Sequence, residues 1–210
     1  MVASSGRPTR KVTSEKTKYA IEIFSEGEKT EVQYFIEWHR HHRGRVVVTF
    51  PVVGRGPLQL VEAAARSKQK AQREERRGRG RAPDAFWCVF DIDEHPDIPR
   101  AIEVAADNGI DVAISNPCIE LWLYLHYEDH RRWDHRHDIQ HALKACSGID
   151  KTLAAHHLEF LIENYEIAHG RAIALDKMHD DNATDDRNPS SGVWRLVEAI
   201  RSSPSPGAGG

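Results

Sequence analysis

With 210 residues, 40% of them hydrophobic and 29% charged, the chain has the size and polarity of one soluble globular domain, or of one domain with an appended helical part. Its net charge of −3 excludes wholesale coating of nucleic acid, so any such contact has to come from a local patch. No apolar run approaches the roughly 20 residues that span a bilayer, the basic N-terminus lacks the apolar core of a signal peptide, and Cys88, Cys118 and Cys146 are scattered in apolar surroundings, which together read as a cytoplasmic protein with reduced core thiols.

Residues 1–17 are basic and rich in Ser and Thr, as expected of a mobile arm. A short strand follows at Tyr19–Phe24 and stops at Ser25-Glu26-Gly27, where a helix opens. Gly27 permits a tight turn, and Ser25 or Glu26 is placed to cap the helix, whose first turn carries Glu28 and Glu31. Val32, Phe35, Ile36 and His39 then fall at helical spacing and predict its buried stripe. A second strand, Arg45–Val53, is closed by Gly54-Arg55-Gly56, and Pro57 starts a helix through Leu58, Leu60, Val61 and Ala64. That helix runs into residues 66–81, which hold eight basic residues against two acidic ones. Of these, Lys68, Lys70, Arg73, Arg76, Arg77, Arg79 and Arg81 are candidate phosphate contacts. No aromatic residue interleaves them, so base stacking is not implied there.

The stretch Phe86–Glu94 carries the most information. Its apolar run is rich in aromatics and predicts a strand buried on both faces, and it ends on Asp91-Ile92-Asp93. Ligands of parallel α/β sheets gather at the carboxyl ends of the strands, and paired hard oxygens there suit Mg²⁺ or Mn²⁺. Glu26, at the end of another strand, is the natural third carboxylate.

A helix over 96–108 with Gly109 as its C-cap, then a strand at Ile110–Ile114, complete an alternation that predicts a parallel α/β sheet. Asn116-Pro117 reads as a helix cap and first residue, opening an apolar helix in which Glu120 is the odd carboxylate. Beyond residue 128 the pattern predicts only helices: Ile139–Cys146, Ala154–Asn164, Tyr165–His179, and a last one opened by Asn188-Pro189. The acidic stretch 180–187 reads as a solvated loop, and the Ser/Pro/Gly tail from Ser202 as disordered. The thirteen histidines lack a zinc-binding pattern and are expected at the surface or partly buried on helices.

Four stretches in order, Ser25–Glu31 followed by Tyr34-Phe35, Val89–Asp93, Ser115–Trp122 and Asn188–Ser191, make the chain resemble the RloB-like family. The resemblance spans nearly everything between the two ends. It departs mildly at Ser191, where the family pattern has threonine. RloB-like proteins are similar to Toprim domains and are associated with restriction-modification and phage defence, often beside an ATPase. What this implies is a Toprim-like α/β core over 18–128, with a helical part of the same domain over 129–201. It further implies a metal-dependent nuclease with Glu26, Asp91 and Asp93 as catalytic and metal-binding residues. Glu31, Asn116, Glu120 and Asn188 are outer candidates. The expected cofactor is Mg²⁺ or Mn²⁺. The expected partners are DNA or RNA and an ATPase subunit, with self-association left open. The rival expectation is a non-catalytic nucleic-acid-binding or regulatory subunit. The chain has no Gly-x-x-x-x-Gly-Lys-Ser/Thr loop, so ATP hydrolysis would belong to the partner.

Overall fold

The four strands that the apolar runs predict are joined by a short fifth, Ser190–Ser191, that they do not predict, in one five-stranded sheet whose order, numbering the strands along the chain, is second, first, third, fourth, fifth. The computed structural model describes residues 18–27, 29–42, 46–51, 56–92 and 97–203. Strands β1 (Tyr19–Ser25), β2 (Val46–Thr49), β3 (Ala85–Asp91) and β4 (Asp111–Asn116) run parallel. Helices α1 (Thr30–His42), α2 (Pro57–Arg76) and α3 (Ile98–Asn108) connect them. The fold is α/β, as the alternation predicts.

Each central strand feeds two cores because its side chains alternate between faces. Phe86, Cys88 and Phe90 of β3 pack with Leu60, Val61 and Ala64 of α2 and with Ala101 and Ala105 of α3. Trp87 and Val89 turn to the other face, where α1 and the helices of the second half of the chain close over the sheet. These are α4 (Ile119–Tyr124), α5 (Arg136–Ser147), α6 (Ala155–Glu163), α7 (Tyr165–Asn182) and α8 (Val193–Arg201). Gly109 takes the left-handed conformation (φ 59°) expected of a C-cap after α3.

Several local expectations are corrected. The buried stripe of α1 is Tyr34, Phe35 and Trp38, whereas Ile36 is 40% exposed. The large aromatics win the core because they remove most apolar area from water. Ser25 does not cap α1; its hydroxyl donates to the Gly27 carbonyl (3.0 Å). Asn116 and Asn188 do not cap helices either. Asn116 still belongs to β4, and α4 begins after Cys118. Residues Ser190–Ser191 form β5, antiparallel to β4, and α8 begins only after Gly192. A residue before proline is disfavoured in the helical region, which fits the extended strand backbone at Asn116. Cys146 is exposed, while Cys88 and Cys118 are buried. His126, His130, His157 and His179 are buried, whereas the other described histidines are exposed or partly buried, as expected of most of them. No helix among the described residues is long and apolar enough to cross a membrane.

Candidate metal and nucleic-acid site

The carboxyl edge of the parallel strands collects acidic residues from four elements. Glu26 directly follows β1, and its backbone N–H donates to Val89 (3.1 Å), extending the ladder one residue past the strand. Asp91 ends β3 beside Ser115 of β4, and the next N–H, of Ile92, donates to the Ser115 carbonyl (2.7 Å). Both carboxylates therefore leave backbone held by the sheet, so their directions are set by rigid elements. Glu31 arrives from the first turn of α1 and Glu120 from the first turn of α4.

The electrostatics tie these groups together. The carboxyl of Asp91 is raised well above the usual aspartate range, first by burial, then by the charges of Glu31 and Glu120, with Glu26 adding less and Arg136 opposing. Glu31 is raised as well, by burial and by Glu120 and Glu26, against a backbone hydrogen bond that lowers it. Burial and the same carboxylates, Glu120 and Asp91, push the Cys118 thiol up, so it is an inert thiol beside the site. One oxygen of Glu120 accepts from Gln140 Nε2 (3.1 Å); the other, Oε2, is buried without a hydrogen-bond partner. The Glu31 carboxylate folds over Gly27 so closely that any Cβ at position 27 would overlap it. A larger residue at position 27 would therefore have to displace that side-chain end, moving the Glu31 carboxylate away from its present place.

Hard oxygen donors, mutual repulsion and an orphaned buried carboxylate oxygen are the chemistry that a divalent cation such as Mg²⁺ or Mn²⁺ satisfies. Among the described residues no three such side chains stand close enough to hold an ion as they are. Asp93, the second carboxylate of the motif, lies outside the described residues. Glu26, Glu31, Asp91 and Glu120 thus share one sheet edge and act on one another electrostatically without closing into a set of metal ligands. Glu31, named only as an outer candidate, is the largest charge acting on Asp91.

Asn116 and Asn188 form the neighbouring rim. The amide of Asn116 donates to the Asp186 carbonyl (2.6 Å), and that of Asn188 donates to the Asp134 carbonyl (3.0 Å). The acidic stretch 180–187 is accordingly more than a solvated loop: it starts within α7, and Arg187 pairs with Asp180 (2.7 Å) and Asp176 (3.3 Å). Arg136, Gln140, Trp133 and Asp186 were not legible as site residues, since nothing in their spacing marks them.

The basic segment lies elsewhere. Helix α2 runs back along the sheet for about 30 Å, so its C-terminal half reaches the amino edge. There Glu75 accepts from the Ala82 N–H, and Arg81 donates to the Lys18 carbonyl (3.0 Å) just before β1. Lys68 is spent on structure: its ammonium donates to the carbonyls of Asn108 (2.9 Å) and Gly109 (2.6 Å) at the end of α3. Arg77 and Arg79 pair with Glu74 at the surface, whereas Lys70, Arg73 and Arg76 line the exposed side of α2.

No curated protein and no solved structure matches the chain. One family model, described as RloB-like protein, matches residues 21–200, a span that includes the turn after β1, the end of β3, the β4–α4 junction and the segment around β5. The chain belongs to the RloB-like family.

Proposed function

We propose that this protein is a divalent-metal-dependent nuclease of Toprim type, cleaving phosphodiesters in a bacterial anti-phage defence system alongside an ATPase partner in the cytoplasm. The observation that carries this reading is Asp91, a carboxyl at the end of a central parallel strand, held in the combined field of Glu31, Glu120 and Glu26. Structural carboxylates are normally paired with cations; a convergence of like charges at the ligand-binding edge of a sheet marks a functional site. Asp91, together with Asp93 from the same motif, would hold Mg²⁺ or Mn²⁺, with Glu26 as a further ligand or general base. Bound there, the metal would neutralise charge developing on the phosphate and make hydroxide available near neutral pH. Glu31 and Glu120 set the charge of the site, and Asn116 and Asn188 fix the loops that border it. The basic residues Lys70, Arg73, Arg76, Arg77 and Arg79 would grip phosphates away from the reacting group.

The rival, a non-catalytic nucleic-acid-binding subunit, is favoured by one observation: the basic segment lies at the sheet edge opposite the carboxylates. Incubating the full chain with single- and double-stranded DNA and RNA, with Mg²⁺ or Mn²⁺ and with or without the neighbouring ATPase, separates the two. Cleavage by the parent and its loss in Asp91→Asn is the expected result. Binding without cleavage under every condition establishes the rival.

A further inference from the structure

Beside the carboxylates the loop before α5 and the segment before β5 wall a cleft of about 360 Å³, lined among others by Ile92, Asn116, Trp133, Arg136, Asp186 and Asn188. We propose that this cleft seats one unpaired nucleobase of a single-stranded nucleic acid, stacked on Trp133, with Arg136 toward the flanking phosphate. The proposal rests on the nuclease reading of the adjacent carboxylates and names the substrate of that site as single-stranded.

The position of the cleft is the first support. Ile92, on its wall, is the residue after Asp91, and Arg136 both lines it and acts electrostatically on Asp91. A nucleotide held here would present its backbone to the carboxylates. Trp133 is the second support. It is 51% exposed and the only aromatic residue among the large hydrophobic side chains exposed on the described surface. Its orientation is nevertheless fixed. The indole N–H donates to Asp186 Oδ2 (2.7 Å), and the His135 ring meets it edge-on, 4.5 Å between centroids at 81°. Asp186 is held in turn by Asn116, and its neighbour Arg187 by ion pairs to α7. An indole anchored at its edge, with half of its surface left in water, is a preformed stacking platform. The volume is the third support, falling at the low end of the roughly 300–1,000 Å³ of small-ligand sites. It admits a base and its sugar but not the width of a duplex.

The cleft also implies weak base preference. The Asn116 and Asn188 amides already donate to the Asp186 and Asp134 carbonyls, so stacking on Trp133, which does not depend on the identity of the base, is the main contact proposed.

The test is fluorescence anisotropy of labelled oligonucleotides with the full chain, in EDTA and at low ionic strength, so that no cleavage is needed for a signal. The probes are single-stranded DNA and RNA homopolymers, a duplex, and a strand carrying spaced abasic sites. The parent should prefer single strands, with the bases ranked within a few-fold of one another; a DNA or an RNA preference supports the proposal equally and identifies the sugar. Trp133→Ala should weaken binding roughly 5- to 100-fold, with Trp133→Phe recovering most of it. Abasic sites should weaken binding to the parent and have no further effect on Trp133→Ala. Equal affinity for duplex and single strand, no binding by the parent, or no loss with abasic sites would each overturn the proposal; the abasic arm uses only the parent protein and stands even if the alanine variant misfolds. Trp133-dependent binding with no cleavage in any metal would instead overturn the nuclease reading and leave this site standing.

Discussion

His126 shows how one buried side chain adds a component to the acid response of the protein. It lies just past α4, where its Nδ1 bonds the Trp122 carbonyl (2.9 Å), satisfying a helix-end acceptor, while its ring meets the Trp122 and Tyr34 rings edge-on. Burial, reinforced by Arg171, lowers its pKa to about 4. Above the usual histidine value of about 6.5 it is neutral in both folded and unfolded chains and contributes no pH dependence. Between that value and about 4 the unfolded chain takes up a proton that the native state refuses, so stability falls as pH falls. The slope approaches about 1.4 kcal/mol per pH unit and levels off below the folded pKa. Denaturant melts from pH 7 to pH 4 on the parent and on His126→Gln should show this component in the parent alone. Parallel pH profiles for the two proteins would place the acid response elsewhere.

At the scale of elements, α2 carries two kinds of basic residue that look identical in sequence. Lys68 caps the end of α3, donating to two carbonyls and lying 5.9 Å above the Phe86 ring centroid. Arg73 and Arg76 reach only Gln69 and the Gln72 carbonyl of their own helix. Lys68→Met should therefore lower stability by about 1–2 kcal/mol, since hydrogen bonds to a charged group are lost, and should leave the salt dependence of nucleic-acid binding unchanged. Changing Arg73, Arg76, Arg77 and Arg79 together to Gln should do the reverse, reducing the salt slope by about one for each phosphate contact removed. The elements themselves were legible because the apolar periods of β1, β3 and α2 and the Gly109 cap are local signals. The exact α1 stripe was not, since Tyr34 and Trp38 are polar-tipped aromatics whose burial depends on the helices that cover them. Nor were the starts of α4 and α8, where strand pairing between β4 and β5 joins residues 75 or so positions apart in the chain and overrides the cap chemistry of Asn-Pro.

The whole molecule brings four carboxylates from separate parts of the chain to one sheet edge, and the sequence carries only half of that arrangement. Glu26 and Asp91 could be read from strand ends, because parallel strands put their carboxyl ends on one side. The weight of Glu31 and Glu120 and the presence of Arg136 could not, because they depend on how α1, α4 and α5 pack over that edge. The consequence is a fold that carries charge repulsion at the carboxyl edge of its sheet, visible in the raised carboxyls of Asp91 and Glu31. A bound divalent cation should relieve it, and binding to the native state alone adds stability by mass action, about 2.7 kcal/mol at a hundredfold excess over Kd. Melting of the metal-free parent should therefore shift upward with Mn²⁺ or Mg²⁺. Asp91→Asn removes one of the repelling charges, so its metal-free form should melt at or above the parent while losing the metal response. Glu120→Gln should also leave the metal-free protein melting at or above the parent, because the Gln140 contact needs only an acceptor oxygen, and it should weaken the metal response without abolishing it. If Glu120 instead served as one half of a structural ion pair, the same variant would melt lower than the parent with and without metal. An equal Mn²⁺ shift in the parent and Asp91→Asn would mean that the ion binds elsewhere, and the acidic edge would lose its role as a metal site.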